Sequence, residues 1–317
     1  MPFAFKPTKD IPDLTGKVIL VTGGKHQILA SGRSNAHIPL LGTAGIGKEA
    51  ILEYARHKPS KIFFTGRDAA RGASVEQETN SIARFVACDM TSLASVQTAA
   101  HTILAETERL DIMVFNAGIM NVPPALTKEG YEVHFGVNHV AHALLFKLLL
   151  PVLLRTAELP DGEVRIASLS SLGYGMHPSG GILYKKIRTT LGSGLVSHQR
   201  YGQSKLANIY LAMEIARRYP QFTAVSVHPG VVQTDLLANL SWTVRTMAWL
   251  SVGGKYLTPA EGAYNMLWAT TVDKSKLEDG EFYVPVGVKE KRMREGSNAK
   301  AAEKLWEWTD EELKPFN

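Results

Sequence analysis

Cysteine is nearly missing from this chain of 317 residues, where Cys88 stands alone. An intrachain disulfide is thereby excluded, and a reducing, cytoplasmic setting is expected. Long apolar runs are scarce as well. The N-terminus, Met1-Pro2-Phe3-Ala4-Phe5-Lys6-Pro7, lacks the apolar core of a secretion signal. The longest apolar stretch, Leu144 to Leu154, contains Lys147 and Pro151 and falls short of a bilayer span, so no transmembrane segment is expected. Lysine and arginine form no compact cluster, which argues against a nucleic-acid partner. His26, His37, His134, His139 and His142 have no partners at metal-ligand spacing, which argues against a metal. No internal repeat or low-complexity tract breaks the chain.

What is present reads as one globular α/β domain spanning residues 1–317. Hydrophobic residues make up 45% and charged residues 21%, enough for a proper core. The net charge of +5 suits a small phosphate-bearing ligand. Short apolar runs recur at Lys17–Thr22, Lys61–Thr65, Arg84–Cys88, Ile112–Asn116, Val164–Ser168 and Ala224–His228. Helix-like stretches lie between them at Lys48–Arg56, Leu93–Glu108, Tyr131–Leu154 and Tyr201–Tyr219. Alternation of this kind predicts a doubly wound, Rossmann-type parallel sheet with helices on both faces. Its ligand belongs at the carboxyl ends of the strands. Beyond His228, Val231–Thr258 is irregular, and Trp242, Trp249 and Leu250 suit either core packing or a flap over an apolar substrate.

Chemistry-bearing residues collect at those strand ends. Gly23 follows the first run, and Gly45-Ile46-Gly47 opens the next helix, where glycines let backbone N–H groups approach a pyrophosphate. Arg67, after the second run, suits a ribose 2′-phosphate and so NADP(H) over NAD(H). Asp89 offers a carboxylate to an adenine amino group, and Asn116-Ala117-Gly118 admits a ribose close to the backbone. Asn138 is an odd residue for a helix interior unless its side chain is used. Ser170-Ser171 presents a hydroxyl at the same edge. Tyr201 and Lys205 sit at i and i+4, on one helix face. The spacing predicts that the ammonium lowers the phenol pKa and readies it for proton transfer.

Taken in order, the glycine fingerprint, Asn116-Ala117-Gly118, Ser171, Tyr201-x-x-x-Lys205 and Pro229-Gly230-x-x-x-Thr234 resemble the short-chain dehydrogenase/reductase superfamily over roughly Leu14 to Leu236. The wording around Asn116–Leu154 and Tyr201–Leu236 is most similar to retinol-dehydrogenase-like members, fungal oxidoreductases among them. The resemblance implies that NADP(H) is the cofactor and that a ketone or aldehyde is interconverted with an alcohol. The expected substrate is an apolar small molecule: a retinoid-like or steroid-like compound, or a secondary-metabolite intermediate. Tyr201 becomes the acid or base, Lys205 its activator and ribose ligand, and Ser171 the orienting hydroxyl. Asn138 becomes the support of a proton-relaying water, while Val232 and Thr234 become cofactor contacts. The resemblance also implies pairing of two copies through Tyr131–Leu154 and Tyr201–Tyr219.

One departure is large. The family spacing puts three residues between Gly23 and Gly45-Ile46-Gly47, and this chain has twenty-one. Excising Lys25–Gly42 restores Val-Thr-Gly-Gly-Thr-Ala-Gly-Ile-Gly. Gly24-Lys25, Ser34-Asn35 and Leu41-Gly42 can be encoded with splice donor, branch and acceptor sequences, as in a translated intron. A genuine loop insertion is the rival reading. An interrupted loop also keeps open a non-catalytic nucleotide-binding or interaction protein, against which the full Ser171, Tyr201 and Lys205 set argues.

Overall fold

The computed structural model describes residues 4–23, 45–191, 195–233 and 255–316. The Lys25–Gly42 segment, Thr234 and the stretch from Trp242 to Leu250 lie outside the described residues. Eight strands form one sheet: β1 (Val18–Val21), β2 (Lys61–Gly66), β3 (Ala83–Ala87), β4 (Ile112–Phe115), β5 (Val164–Leu169), β6 (Phe222–Val227), β7 (Phe282–Val284) and β8 (Val288–Lys289). Their order is 3-2-1-4-5-6-7-8, parallel throughout except for β8 against β7. The direction of winding reverses between β1 and β4, opening a crevice at the carboxyl ends. Both sheet faces are covered, which is why β1 is apolar at every position: Val18 and Leu20 enter one core, Ile19 and Val21 the other.

The helices are α1 (Pro7–Asp10), α2 (Ile46–Arg56), α3 (Ala69–Glu78), α4 (Leu93–Glu106), α5 (Val133–Phe135), α6 (Ala141–Ala157), α7 (Leu195–Arg218), α8 (Pro259–Thr271) and α9 (Ala299–Leu313). A π-helical turn, Gly136–Val140, joins α5 to α6. The six expected strands and four expected helices are present, with ends shifted by a few residues. Helix runs continuously from Val133 to Ala157, close to the expected Tyr131–Leu154, and is long and apolar enough to cross a membrane by length and composition. Its apolar window is 72% buried inside the fold, as befits a helix packed between the sheet and its neighbours. The helix accommodates Lys147 and Pro151; the Lys147 ammonium reaches Asp310 in α9 at 2.9 Å.

The C-terminal elements extend the same sheet and core. A capping box holds the start of α8, with Thr258 and Glu261 satisfying one another's backbone N–H groups and Pro259 in the first turn. Helix α9 lies across α6 and α7. Trp306 packs edge-on to Phe146, with ring centroids 6.2 Å apart, while Leu305 and Leu313 are buried. Part of the face through which two copies were expected to pair is thus covered by α9.

Candidate active site

Tyr201 sits in the second turn of α7, partly exposed at the carboxyl edge of the sheet. Ser171 Oγ and the Tyr201 ring flank Gly173 together, and the hydroxyl lies close enough to the phenol to favour its ionised form. Ser170 and Ser171 separate cleanly in role. Ser170 is buried and donates its hydroxyl to the Lys205 carbonyl at 2.7 Å, whereas Ser171 faces the phenol. One turn along, the Lys205 ammonium lies 5.8 Å from the Tyr201 ring centroid and donates to the Leu169 carbonyl at 2.9 Å. Asn208 donates to the same carbonyl at 2.8 Å, so the end of β5 is tied to α7 twice.

The electrostatics differ from the sequence expectation. Burial pushes the Tyr201 phenol up to about 12, with the nearby Ser171 hydroxyl opposing it. Burial also pulls the Lys205 ammonium down to about 8. Spacing on a helix brings the two groups together, but dehydration of both dominates over their attraction. His228, at the end of β6, is likewise held down to about 4 by burial and by the nearby Lys205 charge.

Asn138 occupies the π-helical turn, where the extra backbone residue re-aims a side chain. Its amide accepts from the Ile119 N–H at 2.8 Å and donates to the Ile119 carbonyl and to Ser204. Ser204 in turn donates to the Tyr201 carbonyl at 2.7 Å. On the other side, His142 Nδ1 lies 2.9 Å from the Asn138 carbonyl, which can only accept, so Nδ1 carries the proton. Nε2 then accepts from the Thr22 hydroxyl at 2.8 Å, leaving that oxygen to receive the N–H groups of Asn116 and Ala117. A buried polar chain therefore runs from the end of β1 to the backbone of Tyr201. Sequence reading missed Thr22 and His142; the four-residue interval from Asn138 to His142 was the available signal.

The nucleotide side is built on close backbone approach. Gly23 adopts φ +73°, and a Cβ there would lie 2.9 Å from Ala117. A Cβ on Gly47 would lie 2.3 Å from the Gly23 carbonyl and 2.5 Å from Asn116 Nδ2. Gly45 caps α2 without a side-chain bond, so the first-turn N–H groups from Ile46 onward have no side-chain cap. The Asn116 amide is spent on the Thr22 and Gly23 carbonyls at 2.8 and 2.6 Å, clamping β1 to β4. Arg67 lines a cleft of ≈ 190 Å³ together with Lys48, Asp68, Arg71 and Ser74. Lys48 and Arg71, also unforeseen, make it a three-cation edge. One Asp89 oxygen accepts from the Thr91 backbone and hydroxyl. Val232 bridges Leu257, and a Cβ on Gly262 of α8 would touch both Val232 and Ile46. The loop after β6 thus abuts the start of α2.

Residues 40–185 match the family model described as short chain dehydrogenase. A short-chain dehydrogenase/reductase of Armillaria gallica is 32% identical, over 97% of this chain and 93% of the relative. The chain belongs to the short-chain dehydrogenase/reductase family. Mouse retinol dehydrogenase 12 is 31% identical across 92% of this chain and 85% of its own. The retinol-dehydrogenase-like wording of this short-chain dehydrogenase/reductase is thereby matched to relatives of that kind. Among solved structures, 3-ketoacyl-(acyl-carrier-protein) reductase from Brucella melitensis complexed with NADH shares the fold at TM-score 0.64 and 21% identity, covering 86% of this chain and 98% of that one. NADPH-bound carbonyl reductase from chicken fatty liver does so at 0.59 and 20%, covering 88% and 100%.

Proposed function

We propose that this oxidoreductase uses NADP(H) to reduce a ketone or aldehyde on an apolar small molecule, a polyketide or terpenoid intermediate being of the right character. The observation that carries the reading is the meeting of the Tyr201 phenol, the Ser171 hydroxyl and the Lys205 ammonium at the edge of the crevice. The cradle fits a dinucleotide, because Gly23 and Gly47 leave no room for side chains and the start of α2 has no side-chain cap. Lys48, Arg67 and Arg71 suit a 2′-phosphate. Bound there, NADPH supplies the hydride.

Ser171 holds the carbonyl oxygen and stabilises its developing charge. Tyr201, still protonated at neutral pH, donates its proton to that oxygen. Lys205 keeps a positive charge beside the phenolate that remains, and Asn138 supports a water that relays a proton back to Lys205. A phenol held up to about 12 keeps its proton at neutral pH, the form in which reduction needs it. The rim is apolar: Leu172, Met176 and Met293 are 50%, 41% and 53% exposed. A Cβ on Gly173 would lie 3.0 Å from Tyr201 Cε1 and 3.1 Å from Met176 Cε, so this rim adjoins the phenol.

Decanal-dependent oxidation of NADPH tests the reading. Tyr201→Phe is expected to lower kcat roughly 100- to 10,000-fold while NADPH affinity holds. Turnover that survives the substitution removes Tyr201 from the chemistry; a chain lacking Lys25–Gly42 that binds NADPH yet is inert with decanal and longer apolar ketones favours the binding-only alternative.

A further inference from the structure

The residue immediately before Tyr201 is an arginine, and it is 1% exposed. Arg200 Nη1 stands 3.5 Å from Oε1 of Glu132, itself fully buried, and Nη2 donates to the Val122 carbonyl at 3.3 Å. Arg200 Nε has no partner among the described residues. Glu132 is shared three ways. Its Oε2 caps α5 by accepting from the Phe135 N–H at 2.9 Å, and its Oε1 also meets His134 Nδ1 at 2.8 Å. Its backbone N–H donates to the Ile187 carbonyl.

Stability alone does not account for such a pair. Removing two charges from water costs heavily, and neutral groups of similar shape serve a core as well or better. What the pair does is geometric. It fastens the start of α7 to the loop after Asn116-Ala117-Gly118 and to the cap of the helix that carries Asn138. Tyr201 is already tied to Asn138 through Ser204. A single tether leaves α7 free to pivot about it; a second tether on the adjacent residue sets the angle of the phenol.

We infer that the buried Arg200–Glu132 ion pair is a positioning device that fixes Tyr201 relative to Asn138 and the carbonyl to be reduced. The inference rests on the reading of Tyr201 as the proton donor. Neither residue touches the reacting atoms, and the pair is neutral as a whole, so it sets geometry without setting the titration of the site.

The test compares wild type, Arg200→Lys, Arg200→Met and the double variant Arg200→Met/Glu132→Gln, in the full chain and in parallel without Lys25–Gly42. Glutamine keeps the cap on α5 and removes the charge that Arg200→Met alone would strand. Decanal reduction, NADPH affinity and Tm are measured for each. The double variant is expected to recover the Tm lost in Arg200→Met, to bind NADPH within twofold of wild type, and to keep kcat at least tenfold down with an unchanged pH profile. Arg200→Lys should regain part of the rate. A double variant that regains rate together with Tm overturns the inference, as does one that fails to fold, because the pair would then serve the fold only. A wild-type chain that binds NADPH but reduces no probe overturns the function itself and this inference with it.

Discussion

Lys205 carries the sharpest consequence at the scale of single residues. Its ammonium is held down to about 8 from the ordinary 10.5 because the fold dehydrates it. A lysine whose folded pKa is lowered binds its proton less well in the fold than in the unfolded chain. Between about pH 8 and 10.5 the unfolded chain therefore holds more protons, and this residue makes stability rise with pH. Below pH 8 the cost of the buried charge is fully present, so Lys205→Met should raise Tm there, with the gain fading toward pH 10.5. In reduction, kcat/KM should fall above about pH 8 as the ammonium is lost, while Tyr201 stays protonated. A profile flat to pH 10, or a Lys205→Met chain no more stable at pH 7, contradicts this assignment. The pair was legible in the sequence because i and i+4 share a helix face. The direction of the phenol shift was not, because burial is a property of the packed crevice.

Among elements, the connection from β1 to α2 matters most. Gly23 and Gly47 pack so closely that neither tolerates a Cβ, and Asn116 clamps the Gly23 carbonyl from β4. Such a turn aims N–H groups at a phosphate only if its two halves are held together. Long insertions cost little closure entropy, so the fold withstands the Lys25–Gly42 segment far better than cofactor binding does. The chain as written should bind NADPH much more weakly than the form lacking Lys25–Gly42 in a fluorescence titration; equal affinity would show that the segment is a tolerated loop. Elements built on strong periodicity were read correctly. Strand β7 has three residues and β8 two, too few for a periodic signal. Helix α8 escaped because its long buried run, Ala263 and Asn265–Thr270, blurs any amphipathic stripe.

For the molecule as a whole, α9 decides how the outer face of α6 and α7 is used. Trp306 meets Phe146 and Tyr219, Trp308 meets Tyr131 and Phe135, and Thr309 reaches buried His139 at 3.0 Å. Arg217–Glu303 and Lys147–Asp310 pairs close the margins. Burying a leucine contributes about 1.5–3 kcal/mol, and α9 buries Leu305 and Leu313 beside its half-buried tryptophans. A second copy would have to displace all of this. Light scattering after gel filtration should therefore return a monomer of 34.7 kDa. A dimer with cross-links between α6 or α7 of two copies would show that α9 yields the face.

The sequence by itself determined the winding of the sheet, the family, and the identity of the groups at its edge. Strand and helix periodicity and fixed short spacings are local properties, readable along one chain. Tertiary structure alone decided the rest: that His142 and Thr22 complete the chain to Asn138, that Arg200 and Glu132 meet across 68 residues, and that α9 occupies the face of α6 and α7. Each of these joins residues far apart in the chain. Their contact energies arise only when packing removes the water between them, and no spacing along the sequence encodes that.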